Sequence, residues 1–178
     1  FSLHSGANAA DYVIDTKGAH AFIQFKIKHL GYSWLYGRFD SFSGEFSFDD
    51  GNPSASKISV EIDPASIDSN HAERDKHLRG VQFLDVKSFP EASFVSTKVE
   101  STGKGRAKVY GNLTLKGVTK SLVLEAELVG MGADPWGGQR AGFQASTRFA
   151  LKDFNIMKNL GPLSQEVEMT LSVEGIKK

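Results

Sequence analysis

Residues 107–132 constrain the fold more than any other part of the chain, because they contain two long runs of alternating apolar and polar side chains. A period of two is typical of a β-strand that buries one face. Between the runs, residues 116–120 hold a glycine and two lysines, which predicts a tight reversal exposed to water. We therefore predict a hairpin with arms of about ten residues, or about 33 Å. Its apolar side consists of Val109, Gly111, Leu113, Leu115, Leu122, Leu124, Ala126 and Leu128.

The composition narrows the classes of function. A chain of 178 residues can bury a substantial core as one domain. Its 21 basic and 21 acidic residues balance, which disfavours a nucleic-acid partner bound through its phosphates. The absence of cysteine excludes disulfides, thiolate catalysis and cysteine-ligated zinc. No apolar run approaches the ~20 residues of a spanning helix, so we expect no integral membrane segment.

Six further segments alternate in the same way, which gives eight predicted strands in all. The second of them changes phase near Asp40 and Ser41, where one extra residue would form a bulge. Eight antiparallel strands that bury one face favour closure into a barrel, since closure removes exposed edges. The further predicted strands are residues 20–29, 37–48, 58–62, 93–99, 143–151 and 166–173.

One short helix is predicted in the long connection after the third strand. Residues 68–80 are polar, rich in helix formers and closed by a glycine. Asn70 and Glu73 have the spacing of a capping box. Residues 83–94 are again apolar and are expected to close one side of the barrel.

The alternation leaves open whether the barrel is hollow or filled. Small inward residues such as Ala126 and Ala145 suggest space, whereas the 13 phenylalanines could fill it. A hollow interior would be almost wholly apolar and would favour an elongated hydrocarbon. The inward positions, including those of the closing segment, are Ile23, Phe25, Ile27, Phe39, Phe46, Val60, Phe83, Phe89, Phe94, Leu113, Leu124, Ala126, Phe143, Val167 and Met169.

The chain contains no motif typical of an enzyme. His71 and His77 lie six residues apart on the predicted helix and so face opposite sides, which is the wrong spacing for shared metal ligation. We predict no catalytic residue, no metal ligand and no cofactor. His29, Trp34 and Trp136 are candidates for contacts at the mouth of the barrel. His29 could equally cap the end of its strand, and the two tryptophans could equally be hydrophobic plugs formed by loops.

The N-terminus carries a small-x-small pattern at residues 7–9, Ala-Asn-Ala. Such a pattern is typical of a signal-peptidase site, but an ordinary terminus would look the same. We expect residues 1–9 to be a disordered tail, either a remnant of signal-peptide cleavage or added sequence.

Several motifs, taken in their order along the chain, resemble those of the YceI-like family, the polyisoprenoid-binding, lipocalin-like proteins. The resemblance is greatest to the periplasmic branch of this family in Gram-negative bacteria. The similarity extends over residues 10–175. The matching segments are residues 11–15 (DYVID), 20–31, 68–78 (DSNHAERDKHL), 83–85, 89–90, 111–120 (GNLTLKGVTK), 134–138 (DPWGG) and 152–154 (KDF).

This resemblance implies an all-β fold, an extended eight-stranded antiparallel lipocalin-like β-barrel formed by residues 10–178 as a single domain. It also implies a periplasmic protein secreted across the inner membrane, with a hollow barrel. A long polyisoprenoid lipid, such as an isoprenoid quinone or its precursor, would be bound there for storage or transport without catalysis. Two alternatives stay open, an enzyme acting on the lipid head group through His29 or the segment from His71 to His77, and a filled barrel that binds proteins. Outer positions such as Val123 and Val129 would allow two chains to pair as a homodimer, although scattered apolar residues on a surface are normal.

Overall fold

A computed structural model of the protein describes residues 9–178. The predicted tail and its cleavage pattern lie almost entirely outside the described residues. The strands are β1 (Ala10–Ile14), β2 (Ala21–His29), β3 (Ser33–Phe39), β4 (Phe42–Phe48), β5 (Lys57–Ile62), β6 (Ile67–Asp68), β7 (Ala92–Gly103), β8 (Arg106–Leu115), β9 (Val118–Ala133), β10 (Gln139–Ala150) and β11 (Glu166–Lys177). One α-helix, α1 (Ala72–Leu78), lies in the connection between β6 and β7, and 3₁₀ turns occur at Pro53–Ala55, Pro64–Ser66 and Leu151–Phe154.

The strands form one closed antiparallel barrel. β1 pairs with β4 on one side and with β11 on the other, so no edge is left between the first and last strands. β1 and β2 lie end to end along β11, with Ile14 opposite Gly175 and Ala21 opposite Val173. In the same way, β3 and β4 lie end to end and share one strand position of the barrel, and β5 and β6 share another. The eleven strands therefore occupy eight positions, which confirms the predicted eight-stranded barrel.

The break between β3 and β4 falls at Asp40 and Ser41, where the change of phase predicted a bulge. The backbone N–H of Asp40 donates to the carbonyl of Ser66, and the N–H of Asp63 donates to the carbonyl of Ser41. The interruption keeps Phe39 on the inner side together with Phe46 and Phe48, as the phase argument required.

The hairpin of β8 and β9 is confirmed, but its turn differs from the prediction. Leu115 lies opposite Val118, so only Lys116 and Gly117 form the turn, both with positive φ. Lys116 is buried, and its Nζ donates to the carbonyls of Val81 (3.2 Å) and Asn155 (3.1 Å). The expectation that this lysine lies in water was wrong, because two segments distant in sequence supply its hydrogen-bond acceptors.

The helix is confirmed and its predicted cap is wrong. The N-terminal cap is His71, whose Nδ1 accepts from the backbone N–H of Arg74 at 3.2 Å. Asn70 lies one residue earlier with φ +64 and does not cap the helix. The buried Asp75 accepts from the backbone N–H of Ser69 and anchors the helix to the preceding segment. None of the helices among residues 9–178 is long and apolar enough to span a membrane.

Candidate functional site

The barrel interior contains two apolar cavities. The narrow cavity, about 450 Å³, is lined by residues that include Phe46, Val60, Leu124, Ala126 and Phe143. The wide cavity, about 990 Å³, lies at the other end of the barrel and extends under the helix and the neighbouring loops. Its lining includes Phe25, Ile27, Leu35, Phe83 and Val167. The interior is therefore hollow at both ends.

Among the described residues, the linings of the two cavities have no member in common, so we treat the cavities as separate. Phe39 and Met169 pack against both buried clusters of the core and lie between the cavities. The ring of Phe94 fills the space beside Gly111, where a Cβ would collide with it. We call Phe39 and Met169 the partition. Its methionine is unbranched and flexible, so the partition can rearrange more easily than one formed only by aromatic rings.

The structure brings ten of the fifteen predicted lumen residues to the cavity walls. The narrow cavity is lined by Ile23, Phe46, Val60, Leu124, Ala126 and Phe143, and the wide cavity by Phe25, Ile27, Phe83 and Val167. Of the other five, Phe39 and Met169 form the partition, Phe94 and Leu113 pack in the core, and Phe89 lies against Gly117. A role of these positions in ligand binding stays a prediction.

The three candidates for a mouth lie in different places. His29 lines the wide cavity. Trp34 lies on the outer face of β3, where Lys26 Nζ lies 4.4 Å from its ring centroid. Trp136 is 75% exposed, lies beside the guanidinium of Arg140 and lines a separate, more open cleft. The structure thus places only His29 of these three at an opening of the two cavities.

Sequence reasoning missed much of the wide cavity's wall. Leu35 follows the same parity as Gly37 and Phe39, so the alternation could have identified it. The contributions of Ile156 and Leu160 come from the connection between β10 and β11, which has no period of two. The sequence contains no local pattern that places such loop residues at a cavity.

A polar network outside the cavities links β1, β10 and β11 around Arg140. Its Nη1 donates to Asp15 Oδ2 (2.9 Å) and Glu174 Oε1 (2.8 Å), and its Nε donates to Asp134 Oδ2 (2.8 Å). His20 Nδ1 lies 2.8 Å from Asp15 Oδ2. Asp15, His20 and Glu174 are close enough together to suggest a metal site. However, the guanidinium of Arg140 already donates hydrogen bonds to both carboxylates, so the network is better explained as a clamp between strands.

The hydrogen bond with His20 is the main reason that the pKa of Asp15 falls to about 2, followed by the N–H of Gly18 and by Arg140. Because the folded pKa is depressed, the stabilisation is fully present above about pH 4 and is lost as the pH falls towards 2. We expect Asp15→Asn to lower the free energy of unfolding by about 2 kcal/mol at pH 7, and by progressively less below pH 4.

Urea unfolding at a series of pH values measures this difference. Asp11→Asn is the control, because Asp11 is exposed on β1, the strand that Asp15 directly follows. A difference between wild type and Asp15→Asn that stays constant from pH 7 to 2 would contradict the assignment.

Comparisons with known proteins agree with this architecture. A family model described as a YceI-like domain matches residues 12–175. A UPF0312 protein of Yersinia pestis (strain Pestoides F) is 62% identical over 171 residues, covering 96% of this chain and 88% of the relative. BcnA of Burkholderia cenocepacia has a similar fold, with a TM-score of 0.81 at 22% identity over 90% of this chain and 98% of that one.

A second solved structure, from Saccharophagus degradans, is described as a polyisoprenoid binding domain. It has a TM-score of 0.73 at 16% identity and covers 94% of this chain and 98% of that one. At such identities the two structural likenesses concern the fold. The family assignment rests on the model match and on the close Yersinia relative. The chain belongs to the YceI-like family.

Proposed function

We propose that the protein binds a long-chain polyisoprenoid lipid, such as an isoprenoid quinone or its precursor, inside the barrel and stores or carries it without altering it. The observation that carries the proposal is the pair of apolar cavities arranged end to end within one barrel. Each volume falls in the range of about 300–1,000 Å³ that is typical of ligand pockets. The description of the Saccharophagus neighbour as polyisoprenoid-binding supports the same class of ligand.

The shape of the interior favours a chain over a compact molecule. A hydrocarbon that fills both cavities must pass between Phe39 and Met169. Each buried methylene contributes about 0.8 kcal/mol, so a long chain can offset the cost of moving the methionine side chain. A lipid of this kind would bind by burial of its chain, with polar side chains at the opening orienting the head group.

Binding without catalysis is part of the proposal. His29 and His77 both line the wide cavity, but its lining within the described part of the chain includes no aspartate or glutamate. General acid–base catalysis by a histidine usually requires a second group that orients the imidazole. The described lining of the wide cavity includes no carboxylate for that purpose. We also propose a periplasmic location, which the similarity to the periplasmic branch of the family supports.

A series of prenyl alcohols with increasing numbers of isoprene units tests the proposal. Affinity should rise with each unit until both cavities are filled and should then level off, because further carbons would stay in water. Competition with a fluorescent lipid measures the dissociation constants. A water-soluble head group without a chain is the control and should not compete. Affinity that is independent of chain length would contradict the proposal.

A further inference from the structure

The opening of the wide cavity differs from that of the narrow cavity in charge. Within residues 9–178, four cationic side chains line the wide cavity, namely Lys28, Arg74, Lys76 and Lys158, and no acidic residue of this range lines it. Charges at the narrow cavity are mixed, because Asp50 and Glu127 lie among its three cations, Lys57, Lys104 and Arg106. The positive potential is therefore concentrated at one end of the barrel.

These four cations are not neutralised within the protein. None of the ion pairs formed among residues 9–178 includes any of them. Arg74 donates to the side chain and backbone oxygens of Ser69, which are uncharged acceptors. Lys28 Nζ lies 5.5 Å from the centroid of the Trp34 ring. The lining of this opening thus carries a net positive charge.

Exposed apolar side chains surround the same opening. Leu30, Val81, Met157 and Leu163 are each more than half exposed. Leu30 and Val81 also line the wide cavity, so the apolar surface continues from the rim into the interior. Leu163 packs over Gly31, where a Cβ would lie 2.5 Å from its Cδ1, which holds the loops of residues 29–32 and 161–164 side by side.

We propose that this end of the protein docks on an anionic lipid bilayer. The docking rim consists of Lys28, Leu30, Lys76, Val81, Met157 and Lys158. Cations attract anionic head groups while apolar side chains enter the boundary between head groups and acyl chains, and the rim carries both. A bilayer fits better than an acidic protein, because the apolar rim opens directly into an apolar cavity of about 990 Å³. A hydrocarbon chain could then move between bilayer and barrel without crossing water.

Vesicle sedimentation at low ionic strength tests the docking. Wild type should bind vesicles of phosphatidylglycerol mixed with phosphatidylcholine, should bind phosphatidylcholine alone far less, and should dissociate from the mixed vesicles as salt is added. Each cation near an anionic surface contributes about a fivefold gain in partitioning, so Lys76→Gln with Lys158→Gln should lower it about 25-fold. The double variant Val81→Ser with Met157→Ser should also lower partitioning onto the vesicles, by a factor that does not change with the salt concentration.

The matched control is Lys57→Gln with Lys104→Gln, two exposed lysines at the narrow cavity, which should bind vesicles nearly as wild type does. Equal losses for both lysine pairs, or no preference for the anionic vesicles, would overturn the docking proposal. The docking proposal rests on the proposed lipid binding, but vesicle binding and lipid binding are measured separately. Prenyl-chain affinity separates the two when it is determined for the wild type and for Met157→Ser, whose residue lines neither cavity and which should therefore keep it. A protein that binds vesicles but no prenyl chain would refute only the proposed function.

Discussion

Ala126→Trp should weaken binding of the longest prenyl chains about a hundredfold and leave the binding of short chains nearly unchanged. Ala126 lines the narrow cavity and lies opposite Ala145 on the neighbouring strand β10. An indole at this position would take up part of the 450 Å³, so the end of a long chain would have to stay outside. Excluding one five-carbon isoprene unit from the cavity removes about 3–4 kcal/mol of favourable burial free energy. The conformational entropy that the excluded unit regains offsets part of this loss. The chain-length series measures the change.

Ser146→Trp is the matched control for this variant. Ser146 is exposed on β10, next to Ala145, so its tryptophan adds the same side chain on the outer face. We expect its affinities to equal those of the wild type at every chain length. If Ala126→Trp binds the longest chains as tightly as the wild type, the narrow cavity does not belong to the binding site.

Phe154→Ala should lower the free energy of unfolding by about 3–5 kcal/mol. Phe154 is 1% exposed, and its ring lies edge-on to Phe149 at a centroid distance of 4.9 Å. It belongs to the buried cluster that supports the wide cavity, together with Phe25 and Val167. Truncation would leave a void that the rigid strands around it cannot close, and calorimetry should show a melting temperature lower by about 10 °C.

Phe22→Ala is the control for the loss of an aromatic side chain. Phe22 lies on the outer face of β2 and is 44% exposed, so its loss should cost less than about 1 kcal/mol. Similar losses of stability in the two variants would contradict the assignment of Phe154 to the core of the wide-cavity end.

The barrel could be predicted from the sequence because its strands obey a simple period. In β9 the inward side chains are every second residue, so Leu124 and Ala126 could be assigned to the interior without coordinates. The interruption between Phe39 and Phe42 was detectable for the same reason, since an extra residue reverses the phase.

Features that depend on contacts between distant segments could not be predicted in this way. Lys116 occupies a turn, where a lysine usually lies in water, yet carbonyls 35 and 39 residues away bury its amino group. The division of the interior by Phe39 and Met169 depends on the directions of side chains from separate strands. The cations of the docking rim come from β2, the helix and the last long loop, so no single segment of the sequence is basic.

Mass spectrometry of an organic extract shows whether the barrel holds a prenyl lipid. The protein is purified without delipidation from the cells that make it, denatured and extracted, and the lipid is counted against the protein. We expect one prenyl lipid per chain, with a hydrocarbon long enough to extend through both cavities. An extract that contains no prenyl lipid, from protein that is folded before extraction, would contradict this expectation.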